Sequence, residues 1–321
     1  MKAAVLRTIG QPPRFEEFPD PVAGKNEAIV SVRAASLKPI DKQMADGSHY
    51  AAFRELPAVC GVDGVGVLEE GTRVFFGGPR APYGGMAERT VVARMRCFPL
   101  PDTVDDATAA AIFNPGLSAW GALKWRAELS TGQSVLILGA TGVTGRLAIQ
   151  TAKLLGARRI VAAGRNERAL SALAELGVDA TIRIGDSKTD LVEQFARELQ
   201  NGIDVIIDYL WGAPTEALLA AIVRSDLQQA SSRVRLIEVG QSAGAALSLE
   251  AAVLRSSRLE ILGAGTGNAP ASPEAWIDAI HQMLANLAKG ALRIETERVP
   301  LAEVEAEWGR ERPGRRVVFI P

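Results

Sequence analysis

From about Gly132 to Leu262 the chain repeats one pattern: a short apolar run, then an amphipathic stretch, then another apolar run. The runs lie at Val135–Leu138, Ile160–Ala163, Ile203–Tyr209, Val234–Val239 and Leu259–Leu262. A strand that is apolar on both faces must be covered on both faces, and the intervening helical segments supply the cover. The alternation therefore predicts an α/β unit built on a doubly wound parallel sheet of the Rossmann type.

The first strand of that unit runs into Gly139-Ala-Thr-Gly-Val-Thr-Gly145, and the helical stretch Arg146–Leu155 follows. A buried strand turning sharply into a helix exposes the free N–H groups of the first helical turn, which together with the positive dipole end favour a pyrophosphate. The GxGxxG spacing appears with alanine in place of the first glycine, as Ala140-x-Gly142-x-x-Gly145, so Ala140, Thr141, Gly142, Val143, Thr144 and Gly145 are the candidate phosphate-binding residues. The end of the second strand reads Gly164-Arg165-Asn166, where an NAD site would place a carboxylate for the ribose. Arg165 offers instead a planar, permanently charged fork suited to a 2′-phosphate, and the expected coenzyme is NADPH. The bland alternative is that Arg165 and Arg168 are solvated surface residues.

The rest of the chain sets the frame. Residues before about 110 are dense in Gly and Pro, with β-type segments at Ala28–Ala34, Val65–Leu68, Thr72–Phe76 and Arg89–Ala93, and read as an irregular antiparallel, barrel-like domain. After Asn268, Ser272-Pro273-Glu274 starts a helix with Trp276, Ile277, Ile280, Leu284 and Leu287 on one face. His281 is expected at that helix's boundary. Strand candidates at Ala291–Ile294 and Arg316–Ile320 are expected to return to the first domain. A formal net charge of −1 without a basic block gives no reason to expect nucleic acid or an anionic membrane. No apolar run approaches a membrane span, the start lacks a signal-type core, and two cysteines, Cys60 and Cys97, make no disulfide framework; the expected compartment is the cytoplasm.

The loop also fits short-chain reductases, which use a Tyr followed four residues later by Lys. Here Tyr50, Tyr83 and Tyr209 are followed at that spacing by Arg54, Ala87 and Ala213, and the loop lies far from the N-terminus. The chain instead resembles the medium-chain dehydrogenase/reductase superfamily and, within it, the zinc-independent quinone oxidoreductases. The residues that carry the resemblance include Lys2-Ala-Ala-Val5, Ala35-Ser-Leu-Lys-Pro-Ile-Asp41, Leu56–Gly66, Gly85-Met-Ala-Glu88, Gly132–Ala140, Ala152–Ala157 and Pro313–Val318. The resemblance implies a GroES-like antiparallel β-barrel catalytic domain split in sequence (1–113 and 269–321) around an NADPH-binding Rossmann domain (114–268). It also implies a homodimer, and an active site in the cleft between the domains.

Zinc-dependent relatives would place a Cys ligand near Lys38 and Pro39 and a His-Glu pair at Val62-Asp63, so the resemblance implies no metal here. His49 and Cys60 could share a metal in principle, but Cys60 reads better as a small buried hydrophobe. Hydride addition to a quinone or activated enone needs only modest stabilisation of the resulting oxygen anion, and such small molecules are the expected substrates. The family often has Asn at the position of Lys38 and a Tyr near that of Tyr50. Tyr50 could donate to the developing oxyanion, Lys38 could support its charge, and Asp41 could orient a neighbour. Equally, Tyr50 could pack on the cleft wall, Lys38 could be solvated, and Asp41 could cap a turn or helix. By position the resemblance adds Ser118, Tyr209, Gly240 and the loop Gly263-Ala264-Gly265-Thr266-Gly267 to the coenzyme contacts. A second class stays open: an NADPH-binding sensor or structural protein of the same fold without turnover.

Overall fold

The computed structural model describes residues 1–185, 187–224, 233–265 and 272–321. The chain forms two compact units, Met1–Asn114 with Leu284–Pro321, and Pro115–Met283. In chain order the first unit supplies β1 (Lys2–Leu6), β2 (Arg14–Glu17), β3 (Glu27–Ser36), α1 (Pro39–Asp46), β4 (Ala58–Val59), β5 (Asp63–Leu68), β6 (Arg73–Gly77), β7 (Arg89–Ala93) and β8 (Cys97–Pro99). Helix α2 (Asp106–Trp120) carries the chain past Asn114. The second unit follows with β9 (Ser134–Leu138), α3 (Val143–Leu154), β10 (Arg159–Gly164), α4 (Glu167–Ser171), β11 (Ala180–Arg183), α5 (Lys188–Gln200), β12 (Val205–Asp208) and α6 (Gly212–Arg224). It continues through β13 (Val234–Glu238), α7 (Ala251–Ser256), β14 (Leu259–Gly263) and α8 (Pro273–Ala288), and the chain then adds β15 (Glu295–Pro300), α9 (Val304–Trp308) and β16 (Arg315–Ile320) to the first unit.

In the second unit the described strands form a parallel sheet in the order β11-β10-β9-β12-β13-β14, with the reversal between β9 and β12 that marks a dinucleotide fold. One face is closed by Leu191, Val192 and Phe195 of α5, by Ala217–Ile222 of α6 and by Val253 of α7, packed on Leu136, Leu138, Val161, Ala163, Ile206 and Leu236. Alanine and glycine at the end of β10 let the neighbouring turns approach closely. In α8 the buried stripe is Ala279, Ile280, Met283 and Leu284; Ile277, expected on that face, is exposed, as is His281. The expected domain boundary after residue 268 lies outside the described residues, and α8 continues the second unit as far as Met283.

In the first unit β3 is the organising strand. It pairs antiparallel with β5, β7 and β16, and alternate residues Ala28, Val30, Val32 and Ala34 are buried. The strand expected at Ala291–Ile294 is a loop anchored by buried Leu292; on its side away from β3, β16 pairs with β15, beginning at Glu295.

At the end of β3 the core holds charge. Lys38, for which solvation was one of the alternatives, is 1% exposed. Its ammonium donates to the Ser36 carbonyl at 2.7 Å, the Ser36 hydroxyl at 3.2 Å and Asp63 Oδ1 at 2.8 Å, and lies 3.3 Å from Asp41 Oδ2. Asp41 caps α1 by accepting the Lys38 N–H at 2.8 Å, as one of the sequence alternatives had it, and accepts the Val62 N–H at 3.1 Å. Arg316, also buried, donates to the Leu37 carbonyl at 2.9 Å. Burial pushes the Lys38 ammonium's pKa down, but the Asp41 and Asp63 carboxylates together push it further up, so it stays charged.

Removing one partner of a buried ion pair strands the other, at about 3–5 kcal/mol. Lys38→Met is therefore expected to lower unfolding stability by about that amount in urea titrations. The double variant Lys38→Met/Asp63→Asn is expected to recover part of the loss. Because the folded pKa of Lys38 lies above that of a free lysine, its contribution is complete below the free-lysine value and is lost as pH rises through the folded one.

Candidate functional site

The β9–α3 turn is shaped by what cannot fit in it. A Cβ on Gly145 would stand 2.4 Å from the Gly139 carbonyl oxygen and 2.6 Å from Ala140 Cα, so the helix start rests directly on the strand end. At Gly142 the nearest atom would be 3.4 Å away, ordinary contact, and Ala140 is itself a fully buried side chain. Gly139 takes φ +80°, where L side chains are rare. The N–H groups of Gly139 and Ala140 both donate to the Ala163 carbonyl at 3.0 Å, which ties the turn to β10. In α3 the first helical bond runs from the Arg146 N–H to the Gly142 carbonyl at 2.9 Å, and no side chain caps the helix. The N–H groups of Val143, Thr144 and Gly145 stand ahead of that bond, a concentration of donors suited to an anion.

Next to this turn, Gly164 closes against Thr141, whose Cγ2 would lie 2.9 Å from an added Cβ. Arg165 is exposed and has no hydrogen bond or ion pair with another described residue. Asn166 is committed to capping α4, its Oδ1 accepting the Ala169 N–H at 2.9 Å. The register of β10 with β11 pairs Gly164 with Arg183, bringing a second exposed cation to the same edge. Sequence reasoning missed Arg183 because it missed β11; the alternation in Ala180-Thr-Ile-Arg183, with only Ile182 buried, was the available signal.

Beyond the reversal, Asp208 ends β12 in full burial and accepts the N–H groups of Leu210 at 2.8 Å and Trp211 at 3.0 Å and the Thr215 hydroxyl. Its register partner across the sheet is Glu238, at the end of β13, and burial raises the pKa of both carboxylates. The Tyr209 hydroxyl is buried and has no hydrogen-bond partner among the described residues, and burial pushes its phenol far above the usual range. A buried donor left unpaired costs free energy and marks a place where a partner belongs. Gly240 donates to the Asp208 carbonyl at 3.2 Å, and Ala264 to the Glu238 carbonyl at 2.7 Å. Gly263 and Ala264 are half-buried and Gly265 is exposed, while Thr266 and Gly267 lie outside the described residues. Ser118 is half-buried on α2.

In the first unit the structure joins Lys38 and Asp41 in the buried network with Asp63 but leaves Tyr50 outside it. Tyr50 is 75% exposed rather than packed in a wall, and its ring lies 4.1 Å from that of His49. Cys60 is buried, and burial drives its thiol far above its ordinary range, away from the thiolate a metal requires. Among the described residues no three His, Cys, Asp or Glu side chains converge, and the Asp63 carboxylate is already taken by an ammonium. That donor set does not fit a zinc ion.

Residues 143–285 match the family described as "Zinc-binding dehydrogenase". A protein of Emericella nidulans named "Probable NADPH-dependent quinone reductase" is 26% identical, with all of both chains covered. The "NADPH-dependent alkenal/one oxidoreductase, chloroplastic" of Arabidopsis thaliana is 30% identical over 59% of this chain and 51% of its own. The crystal structure of the quinone oxidoreductase of Thermus thermophilus, described with its NADPH complex, is 27% identical with a TM-score of 0.81, covering 100% of both chains. The presence of a doubly wound parallel sheet and a separate antiparallel-rich sheet agrees with that neighbour. Residues 143–285 thus carry a zinc-binding dehydrogenase domain of the medium-chain dehydrogenase/reductase superfamily, and the chain has quinone oxidoreductases among its relatives.

Proposed function

We propose that this chain is an NADPH-dependent reductase of quinones or activated enones and enals. The observation that carries the reading is the β9–α3 turn, where Gly145 lies against Gly139 and Ala140 and leaves three uncapped amides, with the unpaired Arg165 at the end of the neighbouring strand. The relatives' names support the same coenzyme and the same two substrate classes.

In this reading Val143, Thr144 and Gly145 donate to the pyrophosphate, and Arg165, with Arg183 beside it, binds the 2′-phosphate. Tyr209 donates a hydrogen bond from its unpaired hydroxyl to the bound coenzyme, and Gly240 and Gly263–Gly265 supply backbone along the second half of the site. Ser118, Ala140, Thr141, Gly142, Gly164 and Asn166 shape its walls. When bound, reduced nicotinamide supplies a hydride to an electrophilic carbon; the chain's task is to orient the substrate, exclude water and meet the oxygen anion that develops. Tyr50, 75% exposed, is the proposed donor to that oxygen. Lys38 commits its hydrogens to Ser36 and Asp63, so it and Asp41 act by holding α1, and with it the turn leading to Tyr50. The resemblance adds that the chain works as a homodimer, and the sparse cysteines point to the cytoplasm; among the described residues no helix is long and apolar enough to cross a membrane.

Fluorescence titration of Arg165→Ala is expected to show NADPH binding weakened tenfold or more, about 1.4 kcal/mol, and NADH binding nearly unchanged. An equal loss for both coenzymes would remove Arg165 from the 2′-phosphate. Following NADPH oxidation against a panel of quinones and enals is expected to give turnover with at least one member, and Tyr50→Phe to lower kcat on it by tenfold or more. Tight NADPH binding with no turnover on any member would favour the sensor class instead.

A further inference from the structure

The described strands of the parallel sheet end with β14, so its last residues have a strand neighbour on one side. That side is secured by the Ala264 N–H donating to the Glu238 carbonyl at 2.7 Å. The preceding residue, Gly263, is held from elsewhere in the chain: Arg126 Nε donates to its carbonyl at 2.8 Å. Arg126 closes the π-helical turn Gly121–Arg126, in which the Ala127 N–H reaches back to the Ala122 carbonyl at 2.8 Å. The extra residue in such a turn redirects the side chains that follow it. Trp125, from the same turn, sets its ring edge-on to Trp276 of α8, with centroids 5.0 Å apart. Two side chains from one widened turn thus hold the end of β14 and the first turn of α8.

We propose that Arg126 is a positioning residue for the second mononucleotide half of the coenzyme site, acting through the Gly263 carbonyl. The inference rests on the NADPH reading above. A dinucleotide fold consists of two halves, each binding one mononucleotide, that meet where the strand order reverses. With the sheet order found here, the β9–β11 half carries Arg165 and takes the adenosine end, so the end of β14 at Gly263 belongs to the nicotinamide end. Gly263 closes β14 and Gly265 follows it by two residues, so a charge-assisted bond to the Gly263 carbonyl fixes the strand end before the coenzyme arrives.

The test uses the full chain and two ligands, NADPH and 2′,5′-ADP, which carries the adenosine end alone. Arg126→Met is expected to weaken NADPH binding about tenfold and leave 2′,5′-ADP within about twofold of wild type. Arg126→Lys, which keeps a charged donor, is expected to recover part of the NADPH loss, and it carries the test by the same criterion should Arg126→Met fail to fold. A merely structural role would lower thermal stability and either spare both ligands or weaken them in parallel, and either result overturns the proposal. Wild-type protein that takes up neither ligand overturns the NADPH reading and this one with it. Wild-type protein that binds both, matched by Arg126→Met, overturns this one alone.

Discussion

Contact between backbone and backbone at Gly145, with no space for even one methyl group, determines where the first turn of α3 stands relative to β9. A helix set back by the width of a side chain would carry its free amides away from the strand end, and the turn's two bonds to the Ala163 carbonyl would be strained or lost. The other candidate contacts are arranged around that point because the parallel sheet brings every strand's carboxyl end to one edge. Gly164 and Arg165 reach it from one side, and Asp208, Tyr209, Gly240 and Gly263 from the other. Asp208 has a structural part in this: its buried carboxylate gathers two amides and a hydroxyl, fixing the turn that follows Tyr209.

Most of the parallel sheet was legible in the sequence because its strands are apolar on both faces and lie between amphipathic helices. Where that condition lapses, the reading lapses too. At the sheet's edge, β11 buries only Ile182, so Ala180–Arg183 looks like ordinary loop sequence, and the cation it places beside Gly164 went unseen. The same reason accounts for β15. Its residues Glu295–Pro300 are charged or polar apart from Val299 and Pro300, and only Val299 is buried, so a strand with so little apolar surface yields to its neighbour Ala291–Ile294 on hydropathy alone.

Charge was the harder matter. In a linear sequence a lysine reads as solvated, since the feature that reverses the reading is a carboxylate twenty-five positions away that arrives only through the pairing of β3 with β5. For Asp41 the local alternative was to cap a turn or helix, and the fold realises it at the start of α1. The second-half contacts around Arg126 depend on a π-helical turn, which has no periodic signature and no motif.

Strand β16 pairs with β3 through Val318–Ser36 and Phe319–Ala35, joining residues near 320 to the first forty. During synthesis the amino-terminal segment must therefore wait, its sheet incomplete, while the whole of residues 115–283 emerges. The second unit, continuous in sequence, can be finished on the ribosome before its companion closes. Such an order leaves the antiparallel-rich sheet of the first unit as the late step of biogenesis, the one at which the unpaired end of β3 is open to chaperones or to wrong partners.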